Sequence, residues 1–257
     1  MIHETRRAGD GREHVRELAR GVDGVIAVGG DGTLGEVVAG LSGTPVPVGI
    51  IPVGTANVVA RELRIPLSPE KAARVLLSGK TRQVDLGRAN GRPFLAMVGV
   101  GLDGAIVAAL SKVRTGPISM ASYVRPSLAA VRAYAWPELK VEIDGRALEV
   151  PCYGILACNT ANYGGIFHLV PGASCSDGLL DLHVWTKPGS TAALRRFAAG
   201  LFRRRSSKSI THYAQAKQVR ISALNGSAVD AQIDGDILGT TPVDIELHAG
   251  QARLFAP

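Results

Sequence analysis

Two short apolar runs, residues 24–28 and 48–51, each end near glycine and give way to helical spacing of apolar positions. The first leads through Gly29-Gly30-Asp31-Gly32-Thr33 into a helical pattern over residues 34–41. The second leads through Pro52-Val53-Gly54-Thr55-Ala56-Asn57 into a pattern ending at Leu63. A strand that breaks on glycines and restarts as a helix builds an anion site. The glycines let the backbone come close, and the helix N-terminus offers unpaired N–H groups and partial positive charge. Two such strand ends about two dozen residues apart fit neighbouring parallel strands, whose carboxyl ends are where α/β sheets bind ligands. Helical patterns at 13–21 and 69–77 extend the alternation to about Lys80, which implies an α/β unit with a parallel sheet.

From Gln83 onward the pattern changes to short strands separated by turn signals: 94–98, 139–143, 147–150, 154–159, 180–185, 219–222, 228–233 and 243–247. Asp144-Gly145 between two of them is a hairpin signal. One helical stretch, about 104–135, interrupts the strands and is expected to break at Gly116-Pro117 and Arg125-Pro126. The change of period sets a domain boundary near 82–87, with an α/β domain over 1–82 and a β-rich domain over 83–257. No internal repeat is present.

Asp31 is the unusual residue of the first glycine loop, a carboxylate inside an anion cradle. It makes sense if the anion arrives with Mg²⁺, or if a carboxylate must take a proton from a hydroxyl beside the phosphate. The pattern therefore points to nucleotide-dependent phosphoryl transfer, against the plainer reading of a tight turn that needs glycine for conformation only. Other motifs fail on inspection. Gly99-Val100-Gly101-Leu102-Asp103-Gly104 has the spacing of a dinucleotide fingerprint, but no acidic residue follows between Ala105 and Pro137 to hold a ribose. Ser78-Gly79-Lys80-Thr81 resembles the end of a P-loop, yet Arg74 stands where its first glycine belongs. Asn225-Gly226-Ser227 reads as a turn, and the six histidines have no i, i+4 pair to suggest zinc.

Composition narrows the setting. The chain has 257 residues, 46% hydrophobic and 20% charged, as in a soluble globular protein. No apolar run reaches the ~18 residues of a membrane span, and residues 1–20 are too charged for a signal peptide. Cys152, Cys158 and Cys175 lack metal-ligand spacing and read as buried thiols in a reducing cytoplasm. A net charge of +7 favours a polyanionic partner. The most basic stretch, residues 195–208, places Phe197, Leu201 and Phe202 on one side of a helical turn pattern flanked by arginines. That suits a helix on an anionic bilayer, where each basic residue near the surface contributes ~1 kcal/mol. Nucleic acid is disfavoured, since neither a helix-turn-helix nor an aromatic-rich β surface accompanies the arginines.

Taken in order, the stretches 29–41 and 50–66, then Ser176-Asp177-Gly178-Leu179-Leu180-Asp181 and Asp234-Gly235-Asp236, resemble the bacterial diacylglycerol kinase and sphingosine kinase-like lipid kinases, relatives of the NAD kinases. The resemblance runs from about Thr5 to the C-terminus. It implies an NAD kinase-like α/β nucleotide domain and a C-terminal antiparallel β-sandwich, with the active site in the cleft between them. It implies ATP and Mg²⁺ as cofactors, a lipid hydroxyl as acceptor, and a cytoplasmic protein peripherally attached to the membrane, with a homodimer as one arrangement. Nucleotide contacts would come from Thr5, Gly29, Gly30, Asp31, Gly32, Thr33, Glu36, Gly54, Thr55 and Asn57. Asp177, with backbone oxygens of Ser174 and Leu179, would hold Mg²⁺. Position 236, commonly glutamate in the family, is implied as the base on the lipid hydroxyl. Here it is Asp236, one methylene shorter, and the base role is shared with Asp31, to which sphingosine kinases give it.

Diacylglycerol is the expected substrate, but these residues do not separate it from sphingoid, ceramide or other lipid alcohols. A soluble NAD kinase-like enzyme and a catalytically inactive relative that binds nucleotide or lipid are the readings from other classes. Two departures stand out. Gly35 replaces the family's usual asparagine, and no Asn-Pro-x-Ser-Gly loop precedes Thr5. The expectation is therefore an upstream extension of one strand and one phosphate loop, a weaker hold on ATP, and association through the sheet edge left open.

Overall fold

The computed structural model describes residues 1–7, 9–18, 21–113 and 124–257. The first part alternates helices and strands: α1 (Asp10–Leu18), β1 (Val25–Gly29), α2 (Asp31–Leu41), β2 (Val48–Pro52), α3 (Val58–Glu62) and α4 (Pro69–Leu77). Next come β3 (Thr81–Ala89), β4 (Arg92–Phe94), β5 (Met97–Gly101), α5 (Leu102–Val113) and α6 (Val124–Ala133). The chain continues through β6 (Leu139–Ile143), β7 (Arg146–Ala147), β8 (Gly154–Cys158), β9 (Leu180–Trp185) and α7 (Ser190–Leu201). It closes with β10 (Thr211–Ala216), β11 (Gln218–Ala223), β12 (Asp230–Ile233), β13 (Asp236–Thr240) and β14 (Val243–Phe255).

These strands form two sheets. In the eight-stranded sheet the order is β1-β2-β14-β11-β6-β7, with β3 on β14 and β4 on β3. The six-stranded sheet, β10-β9-β8-β5-β12-β13, is antiparallel throughout. β1 and β2 are parallel in a register that pairs Gly29 with Pro52, so both glycine loops leave the sheet side by side. The N-terminal unit is thus α/β as expected, but its sheet is mixed. β14 touches β2 in parallel at Leu254 and Val48 and runs antiparallel to β3 along its other edge. One core follows from this arrangement. Leu34, Val37, Val38 and Leu41 of α2 pack with Ile50, Leu63 and Leu86, and with Leu254 from the far end of the chain. A second core fills the sandwich between the sheets, where Val98, Val100, Ile155 and Leu182 meet Val141, Val219, Ile221 and Ile245.

Several local expectations are revised. Residue 82 falls inside β3, so the boundary set from the change of period cuts a strand that pairs with β14 and β4. The strand expected at 94–98 is split between β4 and β5, and at the junction the N–H groups of Leu95, Ala96 and Met97 bond the Asp234 carboxylate. Of the strand expected at 147–150, Ala147 pairs opposite Glu142 and the Leu148 N–H donates to the Val141 carbonyl at 2.9 Å. The helical insertion is present as α5 and α6. Gly116-Pro117 lies outside the described residues, whereas Arg125-Pro126 sits in the first turn of α6, where proline removes no helix hydrogen bond. β1 ends the sheet order and exposes Ile26 and Val28. Among the described residues no helix is long and apolar enough to cross a membrane.

Candidate active site

The two glycine loops touch. A side chain at Gly54 would overlap Gly30 and press on Asn57 Oδ1, and the Val53 N–H donates to the Gly29 carbonyl at 3.0 Å. Only paired glycines allow two strand ends to approach so closely. Gly30 is the N-cap of α2, and Asp31 is its first helical residue, where negative charge is favoured by the helix dipole. The Asp31 carboxylate also accepts the Val59 N–H at 3.2 Å, so it reaches the N-terminus of α3 as well. Thr33 and Thr55 belong to the same pair of loops, and Thr5 is exposed ahead of α1.

Two residues expected at the nucleotide make hydrogen bonds to the protein's own backbone. Asn57, buried with φ 48°, exchanges two hydrogen bonds with Gly54: its amide accepts the Gly54 N–H at 3.1 Å and donates to the Gly54 carbonyl at 2.8 Å. It thereby shapes the second loop. Glu36 accepts the N–H groups of Gly9 and Gly11 at 2.7 and 3.1 Å. It satisfies otherwise unpaired donors at the start of α1 and so ties that helix to α2.

Asp234-Gly235-Asp236 forms the tip of the β12–β13 hairpin. Asp234 and Gly235 have φ of 49° and 88°, and Ile233 pairs with Asp236, which is a two-residue type I′ turn. Asp236 is exposed at the start of β13. Asp234 is the residue that sequence reasoning overlooked. Its carboxylate accepts the N–H groups of Leu95, Ala96 and Met97 at 2.8, 2.9 and 2.9 Å, and its own N–H donates to the Met97 carbonyl at 3.0 Å. Burial raises its pKa to about 6; the three N–H donors oppose that shift, and the negative charge of Asp31 adds to it. The two parts meet here through their core as well: Leu95, whose N–H Asp234 holds, packs in one cluster with Leu34 of α2.

Ser174, Asp177 and Leu179 share the loop before β9. The exposed Asp177 carboxylate accepts the Leu179 N–H at 3.1 Å. Buried Asp85 of β3 pins this loop by accepting the Gly178 N–H at 2.7 Å, while its other oxygen takes the Gly250 N–H at 2.7 Å. No cluster of three or more His, Cys, Asp or Glu arranged for a metal occurs among the described residues. The loop thus offers one carboxylate and main-chain oxygens, a donor set that fits a Mg²⁺ ion keeping most of its water. Glu62 at the end of α3 spans the two parts of the chain by accepting the Ala161 N–H at 3.2 Å, and burial raises its pKa. All three cysteines are free and buried.

The basic helix differs from expectation in its inner face. Phe197 turns inward, with its ring 6.0, 5.7 and 6.2 Å from those of Tyr163, Phe167 and Trp185. Arg196 is buried over Trp185 and donates to the carbonyls of Lys187 and Ile210. The outward apolar residues are Leu194, Leu201 and Phe202, beside exposed Arg195, Arg203, Arg204, Arg205 and Lys208.

A two-part chain whose α/β half carries paired glycine loops and whose other half is an antiparallel sandwich has counterparts among known proteins. Residues 1–89 match the diacylglycerol kinase catalytic domain, and residues 96–256 match the YegS C-terminal NAD kinase beta sandwich-like domain. A diacylglycerol kinase of Bacillus subtilis (strain 168) is 31% identical over 93% of this chain and 80% of its own length. A probable lipid kinase YegS-like of Pseudomonas fluorescens is 32% identical over 100% of this chain and 85% of its own. A longer uncharacterized protein of Synechocystis is 29% identical, and the chain spans 54% of its length. The crystal structure of a diacylglycerol kinase from Bacillus anthracis str. Sterne superposes with a TM-score of 0.76 at 27% identity, covering 100% of this chain and 84% of that one. The chain belongs to the bacterial diacylglycerol kinase and YegS-like lipid kinase family.

The raised pKa of Asp234 has a testable sign. Its folded value near 6 lies above the ordinary carboxylate value of 3.8, so folding favours the protonated form. That contribution is full below the ordinary value and is lost as pH rises through about 6. The stability of the wild type relative to Asp234→Asn should therefore be greatest near pH 4 and shrink toward pH 7, measured by urea melts. A difference independent of pH would contradict the assignment.

Proposed function

We propose that the protein is an ATP- and Mg²⁺-dependent kinase that phosphorylates the hydroxyl of a membrane lipid, with diacylglycerol as the acceptor and phosphatidic acid as the product. One observation carries this reading: a glycine-paired anion cradle begins α2 at Asp31, and the segment that holds Asp234 of the Asp234-Gly235-Asp236 turn packs on α2 through Leu95 and Leu34. The cradle supplies backbone N–H groups for phosphates through Gly29, Gly30, Gly32, Thr33, Gly54 and Thr55, with Thr5 at its margin. Asp236 accepts the proton of the lipid hydroxyl, and Asp31 shares that duty or turns toward the metal. Asp234, committed to three N–H donors, holds the turn in place. Mg²⁺ held by Asp177 and the carbonyls of Ser174 and Leu179 would brace the loop before β9, and Mg²⁺ accompanying ATP would neutralise phosphate charge.

The acceptor is assigned from the names of the relatives and from the outer face of α7, which presents Leu194, Leu201 and Phe202 amid arginines. That face suits the surface of an anionic bilayer, and the protein works as a peripheral enzyme on the cytoplasmic side. Nucleic acid is not a partner in this reading. A second copy joining along the exposed edge of β1 gives a homodimer.

A kinase assay with labelled ATP across a panel of lipid alcohols tests the reading, with label expected in phosphatidic acid. Asp31→Asn should remove nearly all activity while leaving the melting temperature close to wild type, because a lost proton acceptor or metal ligand costs ~10²-fold or more. Asp236→Asn should lower kcat with little change in KM for ATP, and Asp236→Glu should retain part of the rate. An Asp236→Asn enzyme of normal turnover would pass the base role to Asp31 alone. Phosphorylation of a soluble acceptor in the absence of lipid would contradict the lipid assignment.

Vesicle sedimentation tests the membrane face. The protein should pellet with anionic vesicles and be released by salt, since exposed charges are screened over about 8 Å at physiological ionic strength. Replacing Arg203, Arg204 and Arg205 with serine should weaken binding. Equal binding to neutral vesicles would contradict the electrostatic part of the account.

A further inference from the structure

The motif Gly99-Val100-Gly101-Leu102-Asp103-Gly104 binds no dinucleotide by its sequence, yet the structure packs it with unusual economy around one carboxylate. A side chain at Gly99 would overlap the Asp103 carboxylate, and one at Gly104 would overlap the backbone of Asp230 in β12. Both absences let the start of α5 lie directly against β12 and sink Asp103 to 2% exposure. Burial raises its pKa, while Tyr163 and Gln232 oppose that shift. One Asp103 oxygen accepts the Tyr163 hydroxyl, and the other accepts the Gln232 amide at 2.7 Å. Gln232, also 2% exposed, has its amide oxygen on the Gly235 N–H at 2.8 Å. The chain of bonds therefore starts at a buried carboxylate on α5 and ends in the middle residue of the Asp234-Gly235-Asp236 turn.

An amide side chain can be held either way round. Asp103, which only accepts when ionised, forces Gln232 to present its NH₂ inward and its oxygen outward, and that oxygen is what Gly235 needs. Tyr163 extends the same network to the loop that follows β8, where Gly165 lies against Ala56 of the second glycine loop. Resting on the proposed role of this turn in proton removal, we propose that Asp103 is a positioning residue, which through Gln232 fixes the Gly235 backbone and so aims the Asp236 carboxylate at the acceptor hydroxyl.

The test reverses the polarity of the network. In Gln232→Glu, two carboxylates face each other. With one proton between them they reproduce the native bond, and once ionised they repel. Its kcat relative to wild type should fall as pH rises, by about tenfold at the alkaline end, while KM for ATP stays within about twofold. In the double variant Asp103→Asn/Gln232→Glu, the new amide donates to the new carboxylate, which still accepts from Gly235. The pH-dependent loss should then disappear. Tyr163→Phe, which keeps the ring packing and removes one donor from Asp103, should lower kcat severalfold without changing KM for ATP, and it covers the case in which Gln232→Glu does not fold.

Gly235 N–H chemical shift and hydrogen exchange provide a readout that does not depend on activity. They should change in Gln232→Glu with pH and return in the double variant. If this signal behaves as stated but no variant or wild type phosphorylates lipid, the kinase reading fails while the network stands. A pH-independent kcat ratio in Gln232→Glu, equal changes in kcat and KM, or a double variant no better than the single would overturn the proposal.

Discussion

The contact between Gly30 and Gly54 is the constraint on which the rest of the site depends. β1 and β2 run parallel with Gly29 opposite Pro52, so their two loops emerge at the same height and press backbone against backbone. Any side chain at position 54 separates them. With glycine in both places, α2 and α3 begin close enough for Asp31, the first residue of α2, to accept a bond from Val59 in α3. The cradle is therefore one surface built from two strand ends, with the carboxylate fixed at its centre by the starts of two helices.

What turns a phosphate cradle into a candidate for group transfer comes from the other half of the chain. The sandwich delivers Asp234 on a two-residue turn and seats it in three backbone N–H groups from the junction of β4 and β5. Of those residues, Leu95 and Ala96 lie in the break between β4 and β5, and Met97 opens β5. Three backbone donors on one carboxylate fix the turn to the scaffold, as a rigid site requires. β14 binds the halves together: it pairs with β11 and β3 in the sandwich sheet and reaches β2 of the cradle at Leu254. Asp85 and Glu62 add polar ties from β3 and α3 to the loops before β9 and after β8.

Local patterns recovered what local physics decides. The apolar runs became β1 and β2, the spacing after each glycine loop became α2 and α3, and Asp144-Gly145 became the turn between β6 and β7. Asp31 was conspicuous because a carboxylate inside a glycine loop demands a reason. What stayed hidden depends on partners distant in sequence. Asp234 takes its meaning from N–H groups 137 to 139 residues away, and Glu36 from a helix start 25 and 27 residues upstream. Phe197 turns inward because an aromatic cluster from two other segments awaits it, which no periodicity in the helix could reveal. The dinucleotide-like glycines had a structural cause of their own, the seating of Asp103.

Calorimetric titration of ATP with Mg²⁺ into Gly54→Ala, set against Gly35→Ala, tests the central claim most directly. A methyl group at position 35 meets nothing within 4 Å, whereas one at position 54 would force the two loops apart. The account predicts that Gly35→Ala binds ATP as the wild type does, while Gly54→Ala, still folded by its melting curve, binds at least about tenfold more weakly, a loss of about 1.4 kcal/mol. Wild-type affinity in a folded Gly54→Ala protein would contradict it, because the nucleotide would then not depend on the paired loops.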